Sequence, residues 1–237
     1  MMNRRDFLLI GGAGVFGATI LSPQSLFACA ISETAGITPL EALQTPAWLK
    51  RFQAGSTAEL FKRRRFRLFM DGAFPGMTAP FWFDKPAYTT AHAFMSSPGV
   101  VWVSSNRYVI ATGSMAGCAS NQALLWVDTT SKPNQAGIPH AVLIFMDVGS
   151  QPRRRMWIFD NHFVAGGGTA QVIPGHLRRT IRRWIDMKFT RRAMGGRINV
   201  VSNDTSTLTM PIDSPSIYGV PPKWFLSERV ATRLSNS

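Results

Sequence analysis

Five short apolar runs mark the middle of the chain, at residues 100–103, 108–111, 123–127, 141–146 and 156–159, each bounded by Ser, Asn, Gly or Pro. Their length and their Val, Trp and Phe content predict five consecutive β-strands. The connections between them are brief, and a parallel crossover needs a dozen or more linking residues, so the pattern predicts an antiparallel meander. The period then changes. Between Pro174 and Arg192, Leu177, Ile181, Trp184, Ile185 and Lys188 share one face at 3.6-residue spacing, while Arg178, Arg179, Arg182 and Arg183 project from the other side. This segment predicts an amphipathic helix packed on the sheet and stopped by Gly195-Gly196, with a sixth strand over 197–201 and an extended tail marked by Pro211, Pro215, Pro221 and Pro222.

Ahead of the strands, residues 40–53 read as helical with an interruption at Pro46, and Ser56 opens a second helix. Ser56 and Glu59 have the spacing of a capping box, and Lys62-Arg63-Arg64-Arg65 would face the negative end of that helix's dipole. Residues 66–88, dense in Phe, Gly and Pro, predict an irregular loop pinned over the core by its rings. The expected fold is α+β: an antiparallel meander of about five to six strands with N-terminal helices and one amphipathic C-terminal helix.

The first thirty residues follow a different logic. Asn3-Arg4-Arg5-Asp6-Phe7-Leu8-Leu9 leads into a Gly- and Ala-rich apolar stretch to Leu21, then to small residues at Ala28 and Ala30. This resembles the twin-arginine export leader of bacteria, which implies a periplasmic or secreted protein, and the export machinery as a partner of the precursor. Residues 31–237 would form the single mature domain. Leu26-Phe27-Ala28-Cys29 also looks like a lipoprotein box, which would anchor the protein through an acylated Cys29; otherwise cleavage after Ala30 releases a soluble form.

The chain of 237 residues has 26 Lys and Arg against 13 Asp and Glu, a formal charge of +13, while its 45% hydrophobic content excludes a disordered basic tail protein. Removing residues 1–30 takes away Arg4, Arg5 and Asp6, leaving 24 basic and 12 acidic residues, so the basic character belongs to the mature domain. Basic runs occur at 62–65, 153–155 and 178–192. In an exported protein such charge points to an anionic envelope surface or wall polymer ahead of nucleic acid. Arg178, Arg179, Arg182 and Arg183 are the candidate binding residues, and a non-catalytic envelope role is the leading expectation.

The alternative is a thiol hydrolase built on Cys118, His140 and Asp160, in which the imidazole takes the thiol proton and the carboxylate orients the imidazole. His140-Ala-Val-Leu-Ile-Phe and Trp157-Ile-Phe-Asp160-Asn161 resemble the His and Asp strands of bacterial transglutaminase-like cysteine peptidases, which implies that 140 and 160 lie across a hairpin. That family opens a full helix with its cysteine. Here, if residues 121–128 form a strand hairpinned to 138–146, the thiol lies far from the imidazole. Tyr108-Val-Ile-Ala-Thr-Gly-Ser-Met-Ala-Gly-Cys118 through Trp126 also resembles the strand, loop, cysteine and strand of the inhibitor of vertebrate lysozyme family, a periplasmic α+β fold, although Gly113 and Ser114 stand where that family carries its second cysteine and its histidine. His92, His162 and His176 lack metal-site spacing with Asp160, and Gly166-Gly167-Gly168 lacks the lysine of a phosphate loop, so neither metal nor cofactor is expected.

Overall fold

The computed structural model describes residues 46–97, 99–130, 138–147, 154–163, 173–188, 194–202 and 205–211. The leader with Cys29, the connections at 131–137 and 148–153, the triple glycine and the tail beyond Pro211 lie outside them.

The described chain opens with a 3-10 helix over Pro46–Phe52, α1 (Thr57–Phe61) and α2 (Arg64–Ala73). A two-stranded hairpin, β1 (Thr78–Ala79) and β2 (Lys85–Pro86), leads into α3 (Ala87–Phe94). Then come β3 (Val101–Ser104), β4 (Tyr108–Met115), β5 (Cys118–Asp128), β6 (Ala141–Asp147) and β7 (Arg154–Asp160). Helix α4 (Gly175–Lys188) precedes β8 (Met194–Val201) and β9 (Thr207–Pro211). Strands β3 to β9 form one sheet in sequence order.

The molecule is α+β, but its sheet is larger than expected and mixed. The five anticipated strands pair antiparallel from β3 through β7, whereas β7 and β8 are parallel. The reason lies in the connection: the chain passes through α4 between these two strands, and a helix laid across a sheet returns the next strand in the same direction. β9 then adds antiparallel to β8, where only an extended tail was anticipated after the sixth strand.

Strand alternation divides the interior in two. On one face, Val109, Ala111, Leu125, Val127, Leu143, Phe145, Trp157 and Phe159 meet Phe66, Phe69, Met70, Phe94 and the other apolar residues of the N-terminal helices. On the other, Ile110, Leu124, Trp126, Val142, Ile144 and Ile158 receive Leu177, Ile181, Trp184 and Ile185 of α4. Those four residues are the buried stripe that the periodicity predicts, whereas Lys188, at the same angular position near the helix end, is exposed.

The N-terminal layer corrects two expectations. Ser56 caps α1 by accepting from the Ala58 amide, but the Glu59 carboxylate pairs with Lys62 instead of completing a reciprocal box. The helix also ends at Phe61 with only Lys62 as its C-cap, and the rest of the basic run, from Arg63, caps and opens α2. Residues 66–73, expected to be irregular, are helical because Phe66, Phe69, Met70 and Ala73 recur at i, i+3, i+4 and i+7 and are all buried.

Candidate functional site

The polar side chains that strand pairing gathers lie at one end of the α4 face. Ser105 and Asn106, the first two of the three residues between Ser104 and Tyr108, both have positive φ in a turn closed by the Arg107 amide on the Ser104 carbonyl, the twist that an antiparallel hairpin favours. The turn sets Ser104 opposite Tyr108, and Tyr108 in turn pairs with Asp128. The Asp128 amide donates to the His140 carbonyl, and the His140 and His162 rings stack in parallel with centroids 4.4 Å apart. Ser104, Tyr108, Asp128, His140 and His162 therefore form one row across the sheet.

Each member of the row is held. His140 Nε2 is 2.9 Å from Asp160 Oδ1, and the same oxygen accepts the His162 backbone amide. The ring of His162 donates through Nε2 to the Ile138 carbonyl at 3.1 Å. Burial first, and the neighbouring His140 second, hold the His162 pKa below that of an ordinary histidine. Arg107 grips Asp128 with two bonds, of 2.8 and 2.6 Å, and Thr130 adds two more. Burial acts to raise the Asp128 pKa, but these bonds outweigh it and the carboxyl lies below its usual range.

Above the row stands His176, the second residue of α4. Its ring stacks on Tyr108 at 3.8 Å, Trp126 Nε1 lies 3.1 Å from its Nδ1, and Ser104 Oγ lies 2.9 Å from its Nε2. An indole nitrogen only donates, so Nδ1 accepts and the neutral ring carries its proton on Nε2. That proton points at Ser104. The pair is consequently set for His176 to donate to the hydroxyl, the reverse of what a serine nucleophile and its general base require.

Of the expected triad, the structure brings together His140 and Asp160 and leaves out Cys118. The hairpin turn Ala116-Gly117, with Gly117 at φ 75°, starts β5 immediately at Cys118, where the peptidase resemblance needs a helix. Asp128, beside His140, is ten positions further along the strand, a separation on the order of 30 Å. Cys118 Sγ lies near Ser120 Oγ at 3.7 Å instead. A Cys118–His140–Asp160 relay is not assembled, because one strand carries the thiol and the end of the imidazole's hairpin at opposite extremes.

The four candidate arginines behave as a helix face. Arg179 and Arg183 are exposed, Arg178 and Arg182 are half-buried, and none forms an ion pair with a carboxylate among the described residues. The other basic runs lie elsewhere. Residues 62–65 belong to the layer on the opposite sheet face, and Arg155, which alternates with Trp157 toward that face, pairs with Asp147. Arg153, Arg191 and Arg192 fall outside the described residues.

Sequence reasoning missed Ser104, Tyr108, Trp126 and His176 as one assembly. Its signal was present in the alternation: Tyr108 and Trp126 share a sheet face with the helix stripe, at the polar ends of their apolar runs. Among the described residues no group of three or more His, Cys, Asp or Glu is placed to hold a metal ion, and no helix is long and apolar enough to cross a membrane. No protein-family model matches the chain, and neither the curated proteins nor the solved structures searched contain a match.

Proposed function

We propose that the chain is an exported cell-envelope protein that binds an anionic surface or wall polymer, without catalysis, through the arginine face of α4. The observation that carries this reading is the division of that helix: four apolar side chains are committed to the sheet, and four arginines on the remaining surface have no carboxylate partner among the described residues. Guanidinium groups remain charged at all physiological pH values and fork onto phosphate or carboxylate oxygens. The basic side chains elsewhere are partly committed, Lys62 to Glu59, Arg67 to Asp71 and Arg155 to Asp147, whereas the four arginines of α4 form no carboxylate ion pair among the described residues.

The leader-like residues 3–30 support a periplasmic or secreted location, with the lipid-anchored form through Cys29 as the alternative that palmitate labelling distinguishes. Sedimentation of the purified protein with vesicles tests the binding reading. It predicts retention on phosphatidylglycerol vesicles at low salt, little retention on phosphatidylcholine, and progressive release as salt screens the charges. Equal retention on both lipids, or none on either lipid or on an acidic wall polymer, would contradict it.

A further inference from the structure

We propose that His176 is an acid-released latch: as the neutral ring it ties the first turn of α4 to β3 and β5, and protonation of Nδ1 severs the tie to Trp126 and frees that turn. The geometry allows no compromise. The ring's Nδ1 accepts from Trp126 Nε1 at 3.1 Å, and an indole nitrogen has no lone pair to offer in return. A proton added to Nδ1 would set two N–H groups head to head, so the charged ring must leave its position.

The described groups around His176 each bear on its charge. Ser104 on β3 accepts from Nε2, and Tyr108 on β4 covers one ring face at 3.8 Å. Trp126 on β5 is fully buried and separates His176 from His140, against whose ring it packs edge-on at 5.3 Å; His140 is backed by Asp160 and His162. Arg107 before β4 and Arg179 on α4 present positive charge, and Asp128 on β5 presents negative charge, which Arg107 already engages bidentately. The opening amides of α4 add the positive end of its dipole. Burial first, and the Arg179 charge next, accordingly depress the His176 pKa, and the Asp128 contribution in the other direction does not outweigh them.

The element that responds is defined as well. The first helical bond of α4 runs from the Arg178 amide to the Pro174 carbonyl, one turn around His176, while Thr180 caps back onto the His176 carbonyl. Beyond that turn, Ile181, Trp184 and Ile185 keep the helix seated, so the release is local. The inference concerns the start of the helix and stands independently of what its arginines bind.

Hydrogen exchange on the intact protein tests it, read as protection factors so that the intrinsic pH dependence is removed. The expected result is a fall of at least tenfold in protection at Arg178 to Ile181 between pH 7.5 and pH 5, with less than twofold change in His176→Gln, whose side-chain amide does not titrate. Constant protection in the parent, or an equal fall in the variant, would overturn the latch. Should the variant fail to fold, NMR of the parent decides: the His176 ring and the Trp126 indole N–H should titrate together, with a midpoint below the ordinary histidine value. An indole resonance that stays unmoved while the ring titrates would overturn it too.

Discussion

Asn161 closes the seam between β6 and the end of β7, accepting the Ala141 amide on Oδ1 and donating through Nδ2 to the Pro139 carbonyl, both at 2.9 Å. The two bonds bracket His140 and hold its ring beside Asp160. Asn161 is 1% exposed, so its loss leaves an amide and a carbonyl without water to replace it. Asn161→Ala is expected to destabilise the fold by about 2 to 6 kcal/mol, since each of the two buried unsatisfied groups costs about 1 to 3 kcal/mol. Urea denaturation measures this.

A second packing constraint stands at Gly99. A β-carbon there would lie 1.5 Å from the Thr112 carbonyl oxygen and 2.5 Å from Thr57 Oγ1, where α1 is stapled to the edge of the sheet. Backbone on one side and a buried threonine on the other leave little room to yield. Gly99→Ala should cost about 3 kcal/mol, the upper end of ordinary overpacking, and should lower the thermal midpoint. Gly76→Ala tests a different cause: its β-carbon would meet nothing within 4 Å, so any cost there comes from the φ of +69°.

Trp184 anchors the middle of α4 against the sheet and is 2% exposed. Truncation to Ala removes a large ring from a surface that cannot fully collapse, and about 3 to 5 kcal/mol should be lost. A denaturation midpoint close to that of the parent would contradict the docking of this helix.

Acid should act on stability in two stages. Histidines 162 and 176 both have pKa values depressed in the folded state. The unfolded chain therefore binds their protons more readily, and their contribution is complete above about pH 6.5 and lost as pH falls toward the folded values. The Asp128 pKa is also depressed, but from the carboxylate range, so its contribution disappears only on further acidification, beginning near pH 4. Urea midpoints should be level between pH 8 and 7 and decline below about pH 6.5, with a further decline below about pH 4. His162→Gln should make the first decline shallower. A midpoint that rises between pH 7 and pH 5.5 would contradict this assignment.

Much of the scaffold was legible in the chain because local signals agreed with tertiary context. The runs ending in Met146 and Phe159 are short, apolar and rich in strand formers, and Leu177, Ile181, Trp184 and Ile185 fall on one helical stripe. The parallel β7–β8 pairing was missed although its cause, a helix lying between two strands, was visible. β9 was hidden because Thr207 to Thr209 are largely exposed on an edge strand, so no apolar run announces it. At the site, the expectation that 140 and 160 lie across a hairpin was two residues out of register: Asp160 pairs with Val142 and reaches the His140 ring diagonally. The assembly around His176 was not legible, since Ser104 and His176 are 72 residues apart and only the packing of α4 brings them together.

The central claim is tested most directly by replacing Arg178, Arg179, Arg182 and Arg183 together with Gln and measuring the affinity of parent and variant for phosphatidylglycerol vesicles at low salt. The arginines point away from the helix stripe, so the thermal midpoint should change little. Affinity should fall at least tenfold, about 1.4 kcal/mol, with each basic residue near an anionic surface worth up to about 1 kcal/mol, and the difference should shrink as salt is raised. Equal affinity of parent and variant at low salt would contradict the account and leave these arginines as solvated surface.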